Sequence, residues 1–315
     1  MSWAGPWFHP WEARTVVPPA NSEIASENRW RGQIVTLILL ILTLLAFAGN
    51  SLLNRAALAD GQIDWASFTI IRLVAGALLL SLLFGIRHGV AIIPKRADVI
   101  GAASLFAYAA AFSAAYIQLD AGIGALILFP AGQISMQLIG LLRGIVPSRG
   151  QIAGAAIALG GLIYLMAPGA SAPPLWSALL MTSAGIAWGF YSWTGKLAEN
   201  AELATARNFL GAGLLALFLL PWVDPDMISG RGVLLAVVSG AITSALGYIL
   251  WYQVLARISI TSAAVSQLSV PAIAAVGGIV LLDEVLTVRL IVGAAIIFAG
   301  IGLVIKASGQ VRKRE

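Results

Sequence analysis

Apolar runs recur along this chain from residue 32 to residue 306, most of them close to 20 residues long, and only short connections separate them. A helix rising 1.5 Å per residue needs about 20 such residues to cross the hydrocarbon core of a bilayer. The chain is therefore read as an integral membrane protein. Its composition agrees: 59% of the residues are hydrophobic and 10% charged, against about 25% charged in a typical soluble domain.

The runs divide into ten expected helices, at about 32–57, 65–86, 97–119, 122–142, 148–167, 173–195, 203–220, 232–256, 260–282 and 286–306. Turn-forming stretches such as "ADGQID" at 59–64, "PGASAPP" at 168–174 and "PWVDPDMISG" at 221–230 mark the connections. Connections this short make consecutive helices antiparallel neighbours. Residues 1–31, rich in Pro and Trp and without an apolar core, are read as an N-terminal cytoplasmic tail, and 307–315 as a basic C-terminal tail.

Orientation follows from Lys and Arg at the helix ends. With the N-terminus in the cytoplasm, the inner side receives Arg14, Arg29, Arg31, Arg87, Lys95, Arg96, Arg143, Arg149, Lys196, Arg257, Lys306 and the Arg312–Arg314 cluster, and the outer side only Arg55, Arg231 and Arg289. Both termini are placed inside. The net charge of +5 is scattered through short connections, with no basic stripe interleaved with aromatics, so nucleic acid is not an expected partner. There are no cysteines, which excludes disulfides, thiolate metal sites and cysteine nucleophiles.

The chain also repeats itself. "GAAIALGGLIYL" at 154–165 matches "GAAIIFAGIGLV" at 293–304, and "RLVAGALLL" at 72–80 matches "RNFLGAGLL" at 207–215. A third pair, "NSLLNRAA" at 50–57 against "YSWTGKLA" at 191–198, aligns Ser51 with Ser192 and Arg55 with Lys196. The order gives two five-helix copies, 32–168 and 172–306. Five is odd, so the second copy enters the membrane from the opposite side, an arrangement found in secondary transporters with a binding site between the halves.

The two "RxxxG" helix starts, "YIQLDAGIGALILFPAGQ" at 116–133, "QLSVPAIAAVGGIVLLDEVLT" at 267–287 and the paired "GAAI" helices together resemble the drug/metabolite transporter superfamily, EamA type, over residues 32–306. The resemblance implies a central cavity lined mainly by helices one, three, four, six, eight and nine, and a substrate class that includes amino acids, as in the YddG-type exporters. One departure stands out. A glutamate commonly found after the fourth helix is replaced in "RGIVP" by Ile145, whereas the second half keeps Glu284 in "LLDEVLT", so the two gates need not be equivalent.

Few residues in the spans can carry covalent chemistry. Acidic residues lie in the tails or near helix ends, and His9 and His88 lie outside the segments, so no midplane carboxylate or imidazole is available to relay protons. Gradient-driven movement of substrate is therefore preferred to proton coupling. No metal cluster, paired carboxylates or phosphate loop is found, and no cofactor is expected.

Polar and aromatic side chains at helical spacing are the candidates for binding. Ser104, Tyr108 and Phe112 share one face of the third helix, and Ser244, Tyr248 and Trp251 one face of the eighth. Gln133 and Gln137 follow Pro130, and Gln267 precedes Pro271, so both helices are expected to break at matching levels. A proline exposes a carbonyl that lipid cannot satisfy, which places these breaks and glutamines against either a wet cavity or a neighbouring helix. Asn50, Trp188 and Tyr191 complete the set of cavity candidates, whose rings could hold an ammonium group.

Arg72 and Arg207 occupy matching places in the two copies. Each is read either as a structural clamp whose long stem snorkels to water, or as a gating residue or holder of a substrate carboxylate. The expected function is an inner-membrane secondary transporter exporting amino acids or related small metabolites by alternating access. Its partners are the small-molecule substrate and membrane lipid, and a monomer is the expected unit, Gly150 and Gly154 serving internal packing or a dimer contact equally well. A broad drug or sugar-phosphate carrier and a lipid-modifying enzyme are the alternatives. The former should place more cations in the cavity, and the latter needs a reactive cluster.

Overall fold

The computed structural model describes residues 20–88, 92–93, 95–144, 146–167, 169, 172–258 and 266–311. By contacts, residues 39–315 form one unit and residues 1–38 another, and the packing and the site described below belong to the larger. The expectations placed on the tryptophans at 3, 7 and 11, on His9, on Ile145 and on the C-terminal basic cluster fall outside the described residues.

Among the described residues the structure is all-helical, without a strand. The helices are α1 (Ala20–Leu58), α2 (Trp65–His88), α3 (Val99–Ala115), α4 (Ala121–Leu142), α5 (Arg149–Met166), α6 (Leu175–Leu197), α7 (Ala201–Ala216), α8, α9 (Ser269–Leu282) and α10 (Val288–Val311). Helix α8 is one rod, α-helical over Gly230–Val238 and Gly247–Leu255 with a π-helical insert at Ser239–Leu246. Helix α1 begins inside the segment expected as a tail, and α10 runs past its expected end at 306.

Short polar side chains start these helices by capping their free backbone N–H groups. Asp64 Oδ1 accepts from the Ser67 N–H at 2.8 Å, Asn200 Oδ1 from Leu203 at 2.9 Å and Ser229 Oγ from Gly232 at 3.0 Å. Ser148 and Gln151 form a reciprocal capping box at the head of α5.

Among the described residues, eight helices are long and apolar enough to cross a membrane: Arg31–Leu58, Trp65–Ile86, Arg96–Ala115, Ala121–Leu142, Arg149–Met166, Ala201–Trp222, Gly230–Leu255 and Val288–Ala307. Ten were expected. Helix α6 is long enough at 23 residues, but Ser, Thr, Gly, Tyr, Trp and Lys dilute its apolar content. Helix α9 has 14 residues, because the expected helix at 260–282 is interrupted at Leu268 and its start lies outside the described residues.

The matched segments "GAAIALGGLIYL" and "GAAIIFAGIGLV" pack against each other as the antiparallel pair α5 and α10. Contact runs from Gly150 beside Ala307, through Gly154 beside Gly300 and Gly161 beside Ile297, to Leu165 beside Gly293. Gly150 and Gly154 are thus spent on internal packing. A Cβ on Gly154 would meet the Gly300 carbonyl oxygen at 2.5 Å and the Val304 nitrogen at 2.7 Å, both backbone atoms that cannot rotate away.

Replacing Gly154 by Val should therefore separate the two helices and lower the melting temperature in detergent, overpacking of this kind costing about 1–3 kcal/mol. Gly160→Ala is the control. Its Cβ meets nothing within 4 Å, and it should leave the melting temperature unchanged or slightly raised.

Candidate functional site

The polar centre of the larger unit is built around the Asn50 amide on α1. Its Oδ1 lies within reach of three hydroxyls of α8, Thr243 Oγ1 at 2.6 Å and Ser239 Oγ and Ser244 Oγ at 3.0 Å each, while its Nδ2 donates to the Thr243 carbonyl at 3.2 Å. In an α-helix residues 239 and 243 share a face and 244 falls off it. The π-helical insert, with its i→i+5 ladder, widens the turn and brings all three to Asn50. Asn54 and Ser113 extend the network, Ser113 Oγ donating to Asn54 Oδ1 at 3.1 Å.

Close backbone contact between α2 and the insert brings Arg72 into the same network. Gly240 packs directly on the Arg72 carbonyl, a position that no side chain could share. Arg72 Nε donates to Ser244 Oγ at 3.1 Å and a terminal nitrogen, Nη2, to the Tyr108 hydroxyl at 3.3 Å. Its guanidinium carbon sits 5.0 Å from the Phe112 ring centre and 5.3 Å from that of Tyr108. The residue is 1% exposed. The expected snorkelling to water does not occur, because the side chain is directed at the α8 hydroxyls and the rings of α3.

Aromatic rings wall this centre. Trp188 of α6 lies 5.0 Å from Tyr248, 5.2 Å from Tyr108 and 5.4 Å from Tyr191 between ring centres, and Phe47 packs edge-on against Trp188, Tyr248 and Trp251. On one side of Trp188 and Tyr248 is a void of about 10 Å³ shared with Asn50, Tyr108 and Phe112, close to the room one water needs. On their other side is a vestibule of about 490 Å³, lined by Gln133, Trp188, Tyr191, Tyr248, Trp251 and Gln267, that reaches the exposed ends of α6 and α8 at Lys196 and Glu199. The two rings are a partition.

The opposite face is closed by charge. Arg55, near the end of α1, pairs with Asp120 at 3.2 Å and with Glu284 at 3.4 Å, and donates to the Ile117 carbonyl at 3.1 Å. Glu284 accepts from the Ala121 N–H, at the first residue of α4, at 2.8 and 3.0 Å to its two oxygens. A helix N-terminus favours such an anion. Asp283 adopts a left-handed conformation, φ 54°, and this turn folds Glu284 back over α9, where Gly278 leaves room for the carboxylate. Burial pushes the Glu284 carboxyl above the ordinary range, against the pull of the Ala121 N–H and Arg55.

The remaining candidates disperse. Gln133 Nε2 faces Gln267 Oε1 across the vestibule at 3.4 Å, whereas Gln137 is half-buried and outside the vestibule lining. The break expected at Pro130 is absent, since α4 continues through it and the proline, lacking an N–H, forfeits one ladder bond. Pro271 does sit by a break, in the first turn of α9 where its missing N–H costs nothing. Arg207 pairs with Asp98 at 3.5 Å on the wall of a separate groove of about 720 Å³. Among the described residues no group of acidic and histidine side chains could hold a metal.

Sequence reasoning missed Ser239, Thr243, Asn54, Ser113 and Phe47. The first two were hidden by the assumption of α-helical spacing. The others carried no signal beyond being polar or aromatic on helices already recognised.

Known proteins resemble this chain over most of its length. Residues 175–306 match the EamA-like transporter family. An uncharacterized protein of Pseudomonas aeruginosa, PA1977, is 48% identical over 86% of this chain and 94% of its own length. A probable terminal-alkyne amino-acid exporter of Streptantibioticus cattleyicolor is 29% identical over 84% of this chain and 91% of its own. A solved protein crystal structure 17% identical shares the fold, with a TM-score of 0.61 over 86% of this chain and 97% of that one. The chain thus belongs to the EamA-type transporters of the drug/metabolite transporter superfamily.

Proposed function

We propose that this transporter is an inner-membrane exporter of amino acids or related small metabolites, built as ten spans in two inverted five-helix copies with both termini in the cytoplasm. The observation that carries the reading is the pairing of a vestibule reaching one face with a charge cluster shutting the other. Lys196 marks the vestibule's face as cytoplasmic under the positive-inside count, and Arg55, Asp120 and Glu284 then form the outer gate. Alternating access opens the gate as the vestibule closes. The antiparallel packing of the two "GAAI" helices is what inverted copies require. The Streptantibioticus exporter supports the amino-acid class.

Reconstituted in proteoliposomes, the protein should move members of a neutral and aromatic amino-acid panel faster than protein-free vesicles. No accelerated member would end the amino-acid reading, and acceleration of unrelated cations or drugs alone would favour the broad-carrier alternative.

The gate has a testable pH dependence. Burial raises the Glu284 carboxyl when the gate is closed, and opening hydrates it and lets it return toward its ordinary value of 4.5. The closed state therefore holds the proton more tightly, so acidification from neutral pH into the window just above 4.5 favours closure. The charged groups facing Glu284 are Arg55 and Asp120. With no native cysteine to interfere, Ser51→Cys, 1% exposed on α1, reports opening through its rate of labelling by an impermeant thiol reagent. Labelling from outside, taken relative to a fully exposed cysteine at each pH to cancel the falling thiolate fraction, should slow as pH falls.

Arg55→Met leaves the Glu284 carboxylate buried without its cation. It should raise the labelling rate about tenfold at neutral pH, a loss of about 1.4 kcal/mol. The excess should shrink in acid, where a neutral Glu284 no longer needs the arginine.

A further inference from the structure

Arg72 presents an electrostatic problem that the protein itself does not solve. A guanidinium is permanently charged, and this one is 1% exposed on a membrane-spanning helix. A buried charge without a counter-ion is costly and is retained where it has a partner or a task. Its neighbours are all neutral: Ser244, the Tyr108 hydroxyl, and the Tyr108 and Phe112 rings. Among the described residues no carboxylate lies within ion-pair distance of it.

The hydrogen bonds are incomplete as well. Nη1 of Arg72 is buried with no acceptor, and the buried Tyr248 hydroxyl has only the Tyr108 side chain near it and makes no well-formed hydrogen bond. Tyr248 lines the void beyond the partition, and so do the Tyr108 and Phe112 rings, behind which the Arg72 guanidinium sits at 5.3 and 5.0 Å. Tyr248 and Trp188 also line the vestibule, so displacing these two side chains would join the two spaces. Arg207, by contrast, has Asp98.

We infer that Arg72 is the receptor for the carboxylate of the transported molecule, which passes the Trp188–Tyr248 partition from the vestibule, accepts a hydrogen bond from Nη1 and neutralises the buried charge. The inference rests on the transporter reading of the same cavity and adds to it a requirement: the substrate carries a carboxylate. A guanidinium suits this ligand because its planar fork offers parallel N–H groups to two oxygens. The surrounding rings exclude water and leave the ion pair unscreened. An inorganic anion such as chloride is the other occupant the charge could attract.

The test is the thermal stability of the purified full-length protein with matched probes, since a ligand that binds the folded state raises the melting temperature. L-phenylalanine and 3-phenylpropionate carry the carboxylate, phenethylamine lacks it, and L-leucine, 4-methylvalerate and isopentylamine form the aliphatic set. At about 10 mM, ten times a millimolar Kd, the carboxylate members of at least one set should stabilise the wild type, and the amine should not. Arg72→Met should abolish that difference, read as the shift each probe causes relative to the unliganded variant, because the variant also loses the hydrogen bonds to Ser244 and Tyr108. Arg72→Lys, which keeps the charge without the fork, should retain the preference with affinity about tenfold weaker.

Equal responses to acid and amine, no response to any carboxylate, or an undiminished preference in Arg72→Met would each overturn the inference. So would stabilisation by chloride through Arg72 that carboxylates do not compete away. The matched pairs on the wild type test the carboxylate requirement even if Arg72→Met does not fold, and Arg72→Lys then tests the residue. Carboxylate-selective binding without flux would leave the inference standing and remove the export reading, and flux without carboxylate selectivity would do the reverse.

Discussion

The centre of this transporter depends on how one amide oxygen, Asn50 Oδ1, is shared. It has two lone pairs and three hydroxyl donors within reach. Thr243 has an alternative acceptor in the Ser239 carbonyl at 3.1 Å, so the arrangement can be satisfied without stranding a proton. The consequence reaches three helices. Ser244, in donating to Asn50, turns its oxygen toward Arg72 Nε and accepts from it, so α1 fixes a rotor on α8 that in turn orients the guanidinium of α2. In a membrane interior these bonds cannot be exchanged for water, and each is expensive to break.

The π-helical insert is the backbone condition for that sharing, and it explains what could be read from the sequence. Tyr108, Trp188, Tyr248 and Trp251 were recognisable because a ring on a polar helical face is visible at ordinary α-helical spacing. Ser239 and Thr243 were not, since their convergence with Ser244 needs a wider turn that no residue announces. Pro130 misled for a related reason. One lost ladder bond does not break a helix that is packed on every side, as α4 is along Ala121–Ala131. The charge cluster was half visible: Glu284 and Arg55 could be named, but their meeting across residues 55, 120 and 284 depends on the left-handed turn at Asp283.

Hydropathy located the spans well where lipid is the neighbour and poorly where protein is. Helix α6 gives up apolar residues because one face of it builds the partition and the vestibule through Trp188, Tyr191 and Lys196. Its weak membrane signal and its role in the cavity have the same cause. The pairing of α5 with α10 shows the opposite balance, glycines on the contact line and large apolar residues such as Ile163 and Ile291 left exposed where lipid covers them.

The two arginines show why likeness in sequence does not carry likeness in environment. Arg72 and Arg207 begin matching segments, and if the halves are read as copies, α3 and α8 are counterparts as well. The residue capping α3 is Asp98, which pairs with Arg207, while the residue capping α8 is Ser229, which bonds Gly232 and Gln62. An aspartate thus stands at one cap and a neutral serine at the other. A charged pair at both places would lock the two halves alike. Neutralising only one arginine from within the chain leaves the other to be neutralised from outside it, and that asymmetry ties the state of the cavity to what it holds.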